Sequence, residues 1–200
     1  MNFLDPKTNK TFSKPTKKEA EEAVKVLLRW AGDDPSREGL QDTPRRVVKA
    51  YKEWFAGYDQ DPKKLLSRTF KEVEGYSEIV TLGNIRFESF CEHHLAPIIG
   101  KAHVAYLPSS RIVGISKIAR LVNAYSKRLQ VQEKMTSQIA NSLQEILKPK
   151  GVGVLLEGEH HCMCTRGVHK DSSKMVTSAF TGDFKDRAEI RDEFFRLINQ

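Results

Sequence analysis

Cys91 and His94 stand in C-x-x-H spacing within Phe90-Cys91-Glu92-His93-His94. That spacing lets one tight loop present a thiolate and an imidazole to a single metal ion. Far downstream, His160-His161-Cys162-Met163-Cys164 supplies a further thiolate. Read as a strand, this second stretch points His160 and Cys162 to one face, because side chains alternate with period two. His93 cannot easily follow His94 onto the metal, since adjacent side chains diverge in an extended segment. The ligands expected are Cys91, His94 and Cys162, with the imidazoles of His93 and His160 left over beside them. Three protein ligands with a vacant fourth position is the pattern of catalytic zinc, one ion per subunit. Spare histidines beside a water activated by the ion suit proton transfer in a hydrolase.

The same spacing allows a closed structural Cys3His centre, because strand alternation places Cys164 on the face of Cys162. Against it, two positions along a strand span ~6.5–7 Å. Zinc–sulfur bonds are ~2.3 Å, so both thiolates reach one ion only if the strand bends sharply. Cys164 is therefore expected to be a bystander.

The elements that must position these residues follow from hydrophobic periodicity. Residues 1–15 read as a loose arm containing Pro6 and Pro15. Thr16-Lys17-Lys18-Glu19 is a capping box, followed by a helical stripe from Ala20 to Ala31 that Gly32 ends. A second helix from Thr43-Pro44 carries Val47, Val48, Tyr51, Trp54 and Phe55 inward and stops near Gly57. Arg46 and Lys49 share a face of it. Ile79–Ser89 and Ile98–Leu107 then read as strands, and Ser116 as the N-cap of a helix running to Leu129. Lys117 and Arg120 lie near the start of that helix, where cations oppose the macrodipole unless they help to hold an anion. Gln132-Glu133 precedes a third helix with Met135, Ile139, Leu143, Ile146 and Leu147 as its stripe. Gly151–Glu157 and Lys174–Thr181 read as strands, and Asp183–Ile198 as a closing helix. Two strands, two helices and two strands make an α+β unit with an antiparallel sheet and helices on one face. Residues 1–60 form an arm and helical extension, and 61–200 the catalytic domain.

Composition narrows the function classes. The 200 residues, 39% hydrophobic and 30% charged, suit a globular chain with one main core. No apolar run approaches the ~18 residues that span a bilayer, and the N-terminus lacks the apolar segment of a signal peptide. The three cysteines all lie in the two metal stretches, which fits ligation in a reducing cytoplasm rather than a disulfide framework. A net charge of +7 favours an anionic ligand without requiring nucleic acid. No P-loop, G-x-G-x-x-G or internal repeat is present, and no P-C-x-x-C points to a nucleobase deaminase.

Taken together, Phe90–His94, Gly114-Ile115-Ser116-Lys117-Ile118-Ala119-Arg120, Val131-Gln132-Glu133, His160–Met163 and Arg166-Gly167-Val168 closely resemble GTP cyclohydrolase I, in register from about Thr43 to Phe184. The resemblance implies a tunnelling fold, in which ββααββ subunits join their sheets into a barrel. It also implies a homodecamer of two pentamers, with neither nucleic acid nor membrane as partner. The reaction implied is GTP plus water to 7,8-dihydroneopterin triphosphate and formate, the first step towards pterins and folate. Cys91, His94 and Cys162 match the zinc ligands, and Glu133 the carboxylate that holds guanine, with Gln132 beside it. Ser116, Lys117, Arg120 and Arg166 match the ribose and triphosphate contacts, and Arg46 and Lys49 match basic residues from a neighbouring subunit. Within that reaction His160 is the expected acid at guanine N7, and His93 the group that moves a proton at the ribose ring oxygen. Cys164 departs from the family pattern, in which no ligand is expected there. Two other readings are a non-catalytic zinc-stabilised module and another tunnelling-fold pterin or deazapurine enzyme. The first leaves Glu133 and two spare histidines without a job.

Overall fold

The structure, a computed structural model, describes residues 2–4, 11–70 and 76–199. They fall into two compact units, Met1–Glu53 and Trp54–Gln200. In the first, the expected loose arm is partly ordered: β1 (Asn2–Leu4) pairs antiparallel with β2 (Thr11–Ser13), while residues 1 and 5–10 of the arm lie outside the described residues. The capping box forms as expected, with Thr16 Oγ1 accepting from Glu19 N at 3.2 Å and Thr16 N donating to Glu19 Oε2 at 2.7 Å. It starts α1 (Lys17–Trp30), none of whose residues is buried. α2 (Thr43–Trp54) follows. Of its expected inward residues, Tyr51 and Trp54 are exposed in the single chain, although the Trp54 ring lies 5.0 Å from that of Phe90.

The second unit adds two short elements that the periodicity does not announce, α3 (Pro62–Leu66) and β3 (Thr69–Phe70). Then come the long strands β4 (Val80–Cys91) and β5 (Pro97–Leu107), the short β6 (Ile112–Val113), α4 (Ile115–Ser126), β7 (Leu129–Gln130) and α5 (Gln132–Leu147). β8 (Gly151–His160), a single helical turn α6 (His161–Cys164), β9 (Lys174–Gly182), α7 (Asp183–Asp186) and α8 (Ala188–Ile198) complete it. The sheet order is β7-β4-β5-β8-β9. The four long strands are antiparallel to their neighbours, and only the two-residue β7 runs parallel to β4. This is the ββααββ unit of the tunnelling fold.

Alternation sorts the strands between two cores. Ala102, Val104, Tyr106, Val152, Val154 and Leu156 face α4 and α5, where Ile118, Leu121, Val122, Met135, Ile139 and Leu143 close over them. Fully burying each such side chain contributes about 1.5–3 kcal/mol. The intervening Ala105, Leu107 and Leu155 point the other way and are covered by Phe184, Ile190 and Phe194 of the C-terminal helices. The ββααββ unit thus has its two helices on one face, and the tail adds cover to the other.

Several boundaries differ from the sequence expectation. Gly114, not Ser116, caps α4, and no side chain makes the cap bond. The helix stops at Ser126, because Arg128 folds back to donate from Nε to Ala124 O at 2.7 Å and to Gly57 O at 3.1 Å. Its Nη2 donates to Gln60 O at 3.2 Å, and its guanidinium lies over the rings of Tyr125 and Tyr58. Leu129 is thereby freed to pair with Phe90 in β7. Gln132 and Glu133 open α5 rather than precede it. The closing helix is broken at Arg187, whose extended backbone separates α7 from α8. The second ligand stretch is not a strand: after His160 the chain turns at once into α6.

Candidate metal centre and active site

One end of the sheet gathers the chemistry. β4 finishes at Cys91, whose N–H donates to Ala96 O at 2.8 Å as the chain turns through Glu92–Leu95 into β5. Leu95 takes a positive φ of 55° to complete that turn, and His94 N and Leu95 N both donate to Cys91 O. β8 ends beside the start of β5, with His160 opposite Ile98, so α6 begins next to the β4–β5 turn. The donor atoms of Cys91, His94 and Cys162 consequently lie within 4.8 Å of one another. Cys91 Sγ is 3.8 Å from His94 Nδ1 and 3.9 Å from His93 Nδ1.

These three residues can hold a metal ion. Burial first, and the neighbouring Cys91 second, push the Cys162 thiol above its ordinary pKa. Two sulfurs and one imidazole gathered this closely suit a borderline-soft divalent ion. The donor set fits such an ion.

Cys164 does not join the group. In a helical turn, residues two apart point in roughly opposite directions, ~200° round the axis. The Cys164 thiol accordingly faces His160 O at 3.2 Å and Glu159 Oε1 at 3.7 Å. The expectation that Cys164 shares a strand face with Cys162 is thus replaced by a helical arrangement that separates them more firmly.

Around the cluster, His160 Nε2 lies 3.0 Å from Gln132 Oε1. Burial lowers the His160 pKa from its ordinary value, and Glu133 pulls in the opposite direction. Gln132 is buried while Glu133, the next residue, is exposed at the N-terminus of α5. Arg166 follows α6 and places Nη1 3.2 Å from His94 Nε2. His93, exposed, stands beside His94 with its ring nearly perpendicular. The single chain therefore brings together Cys91, His93, His94, Gln132, Glu133, His160, Cys162 and Arg166.

It does not bring Ser116 and Lys117 there. Val113 N donates to the Tyr106 hydroxyl at 3.3 Å, which ties the start of α4 to the far end of β5. The metal end of the sheet is where α4 finishes, with Ser89 Oγ donating to Arg128 O at 3.4 Å. At 1.5 Å per residue, Ser116 lies about 15 Å along the helix from Ser126. Arg120, one turn on, is exposed. Arg46 and Lys49 are exposed on α2 in the other unit, where Arg46 Nη2 sits 3.4 Å from Asp42 Oδ2. Two features escaped sequence reasoning: the fixed amide of Gln132 and the Arg128 latch. Both depend on contacts between residues far apart in the chain, which local patterns do not encode.

Residues 20–199 match the family model for GTP cyclohydrolase I. GTP cyclohydrolase 1 of Maricaulis maris is 58% identical over 188 residues, covering 94% of this chain and 92% of that protein. The Hyphomonas neptunium protein of the same name is 57% identical over 204 residues, 100% and 99% of the two chains. That of Brucella canis is 56% identical over 185 residues, 92% of this chain and 87% of the relative.

Proposed function

The chain belongs to the GTP cyclohydrolase I family, and we propose that the metal-competent end of its sheet is where GTP and water become 7,8-dihydroneopterin triphosphate and formate. The observation that carries this reading is the grouping of Cys91, His94 and Cys162 within 4.8 Å, with His160 anchored next to them. Cys91, His94 and Cys162 would hold one zinc ion per subunit, and a bound ion would supply Lewis-acid activation for the water that the reaction consumes.

The remaining work belongs to the chain. Glu133, exposed at the start of α5, accepts two N–H bonds from the guanine edge, a pattern adenine cannot reproduce. An adenine there leaves a desolvated carboxylate without partners, which is the basis of base selectivity. Gln132 stands between that carboxylate and His160. His160 holds the proton delivered to N7, and His93 moves a proton at the ribose ring oxygen as the sugar opens. Arg166, beside His94, meets the triphosphate.

Ser116, Lys117 and Arg120 complete the ribose and phosphate contacts from a second copy. The length of α4 supports this, since within one chain Ser116 and Lys117 lie far from the cluster. Arg46 and Lys49 reach the phosphates from another subunit. A ring assembly, a decamer of two pentamers, provides such interfaces. In this arrangement residues 61–200 carry the catalytic domain and residues 1–60 form the extension that lends Arg46 and Lys49. Among the described residues no helix is long and apolar enough to cross a membrane, and the free thiols suit the reducing cytoplasm as the place of work.

The test is metal dependence of formate release. Removing the ion with a chelator should abolish formate production from GTP, and restoring zinc should recover it. Undiminished turnover in protein shown to be free of metal would refute the reading.

A further inference from the structure

Gln132 is the first residue of α5 and only 1% exposed. Its side-chain nitrogen lies 2.9 Å from Met175 O, 3.1 Å from Thr177 Oγ1 and 3.3 Å from Leu156 O. Two of these are main-chain carbonyls of β8 and β9, which only accept. The amide nitrogen must face them, since the flipped amide would set oxygen against oxygen in a buried site. The carbonyl oxygen of the amide is then committed to the other side, 3.0 Å from His160 Nε2. An amide oxygen can only accept, so His160 Nε2 must carry a hydrogen.

The neighbours hold this arrangement in one direction. Thr136 Oγ1 donates to Gln132 O at 2.7 Å, one turn back along α5. That uses its hydrogen, so across the 2.7 Å contact between Thr136 and Thr177 it is Thr177 that donates. Thr177 Oγ1 is left to accept from Gln132. Gly158 makes the room: a Cβ there would lie 2.4 Å from Gln132 Oε1.

We propose that Gln132 is a positioning residue that locks His160 in its Nε2–H tautomer, so that Nδ1 is the ring nitrogen exchanging a proton with substrate. This deepens the reading of His160 as the acid and rests on it. The ordered donors behind the amide make the choice of nitrogen a property of the sheet rather than of the histidine. Histidines beside reactive centres are commonly oriented through the nitrogen that does no chemistry, and loss of such a partner costs about 10- to 100-fold.

The test reads the tautomer directly. Nitrogen NMR of zinc-loaded, 15N-histidine-labelled protein in mildly alkaline buffer, with His160 assigned by its absence in His160→Ala, should show a protonated Nε2 and a bare Nδ1. Gln132→Met, close in shape but without the acceptor, should give a mixture of tautomers and lower kcat about 10- to 100-fold. KM for GTP should stay within about threefold, because no substrate contact is removed. Gly158→Ala should act in the same direction by displacing Oε1 with Gln132 intact. A wild-type His160 protonated at Nδ1 and bare at Nε2 overturns the proposal whatever the variants do. So does a Gln132→Met protein whose tautomer is unchanged, or whose loss lies in KM alone. Full activity in His160→Ala would instead strike the reading of His160 as the acid, which the tautomer signal does not depend on.

Discussion

Cys91 and Cys162 bring the same donor atom to one place from unlike backbones, the last residue of a strand and the second residue of a one-turn helix. The helical turn is what separates Cys162, in the donor group, from Cys164, whose thiol faces elsewhere. Cys162→Ala should lose most of the bound metal, because two remaining donors seldom hold an ion that needs three. Cys164→Ser should keep the metal, since its thiol is turned to His160 O and Glu159. Metal analysis of the two purified variants checks both, and retained metal in Cys162→Ala or lost metal in a folded Cys164→Ser would contradict the ligand set. The ligands themselves were legible because C-x-x-H needs nothing beyond one turn. The direction of Cys164 was not, because four residues of helix are too few to show a period, and a glycine-free His-His-Cys-Met-Cys run reads equally well as extended chain. The partner of His160 was equally out of reach, since Gln132 meets it only through the packing of α5 on β8 and β9.

At the scale of elements, the Arg128 latch is what ends α4 and delivers β7, and with it the first turn of α5, to the metal end of the sheet. Its guanidinium satisfies the carbonyls of Gly57, Gln60 and Ala124 and covers two tyrosine rings. Arg128→Ala should lower stability by about 2–4 kcal/mol, since several carbonyls lose a charged donor together. Arg128→Lys should recover little of it, because an ammonium lacks the planar fork. Denaturant unfolding measures both, and a loss below about 0.5 kcal/mol, the range of an ordinary surface change, would mean the latch is idle. The long strands and the cores of α4 and α5 were legible from alternation and from the 3.6-residue stripes. Their ends were less so. Ser116 is a strong N-cap type, yet the turn leaving β6 puts Gly114 in the cap position. The division of the closing helix at Arg187 has no glycine or proline to mark it. At the break Arg191 Nη1 donates to Phe184 O at 2.9 Å and Lys185 O at 2.7 Å, taking carbonyls that a continuous helix would pair with its own backbone.

The whole chain holds the metal donors, Glu133 and the two histidines at one end of its sheet, and starts α4 at the other. On the proposed reading, a catalytic unit that includes Lys117 draws on at least two copies. Lys117→Ala and His160→Ala, each weak alone, should complement when mixed and reassembled. Random mixing of equal amounts puts an intact pair at roughly a quarter of such interfaces. Activity no higher than either parent would place both residues in one subunit's site. By resemblance the sequence led to the expectation of a shared site through Arg46 and Lys49; the span of α4 is a separate, physical reason to look for Lys117 in a second copy. The assignment of the active site as a whole meets its most direct test in formate release from GTP by His160→Ala beside wild type, with bound metal quantified in both. The expected result is a full complement of metal and turnover lower by about 10²–10⁴-fold. Full metal with near-wild-type formate release would contradict it.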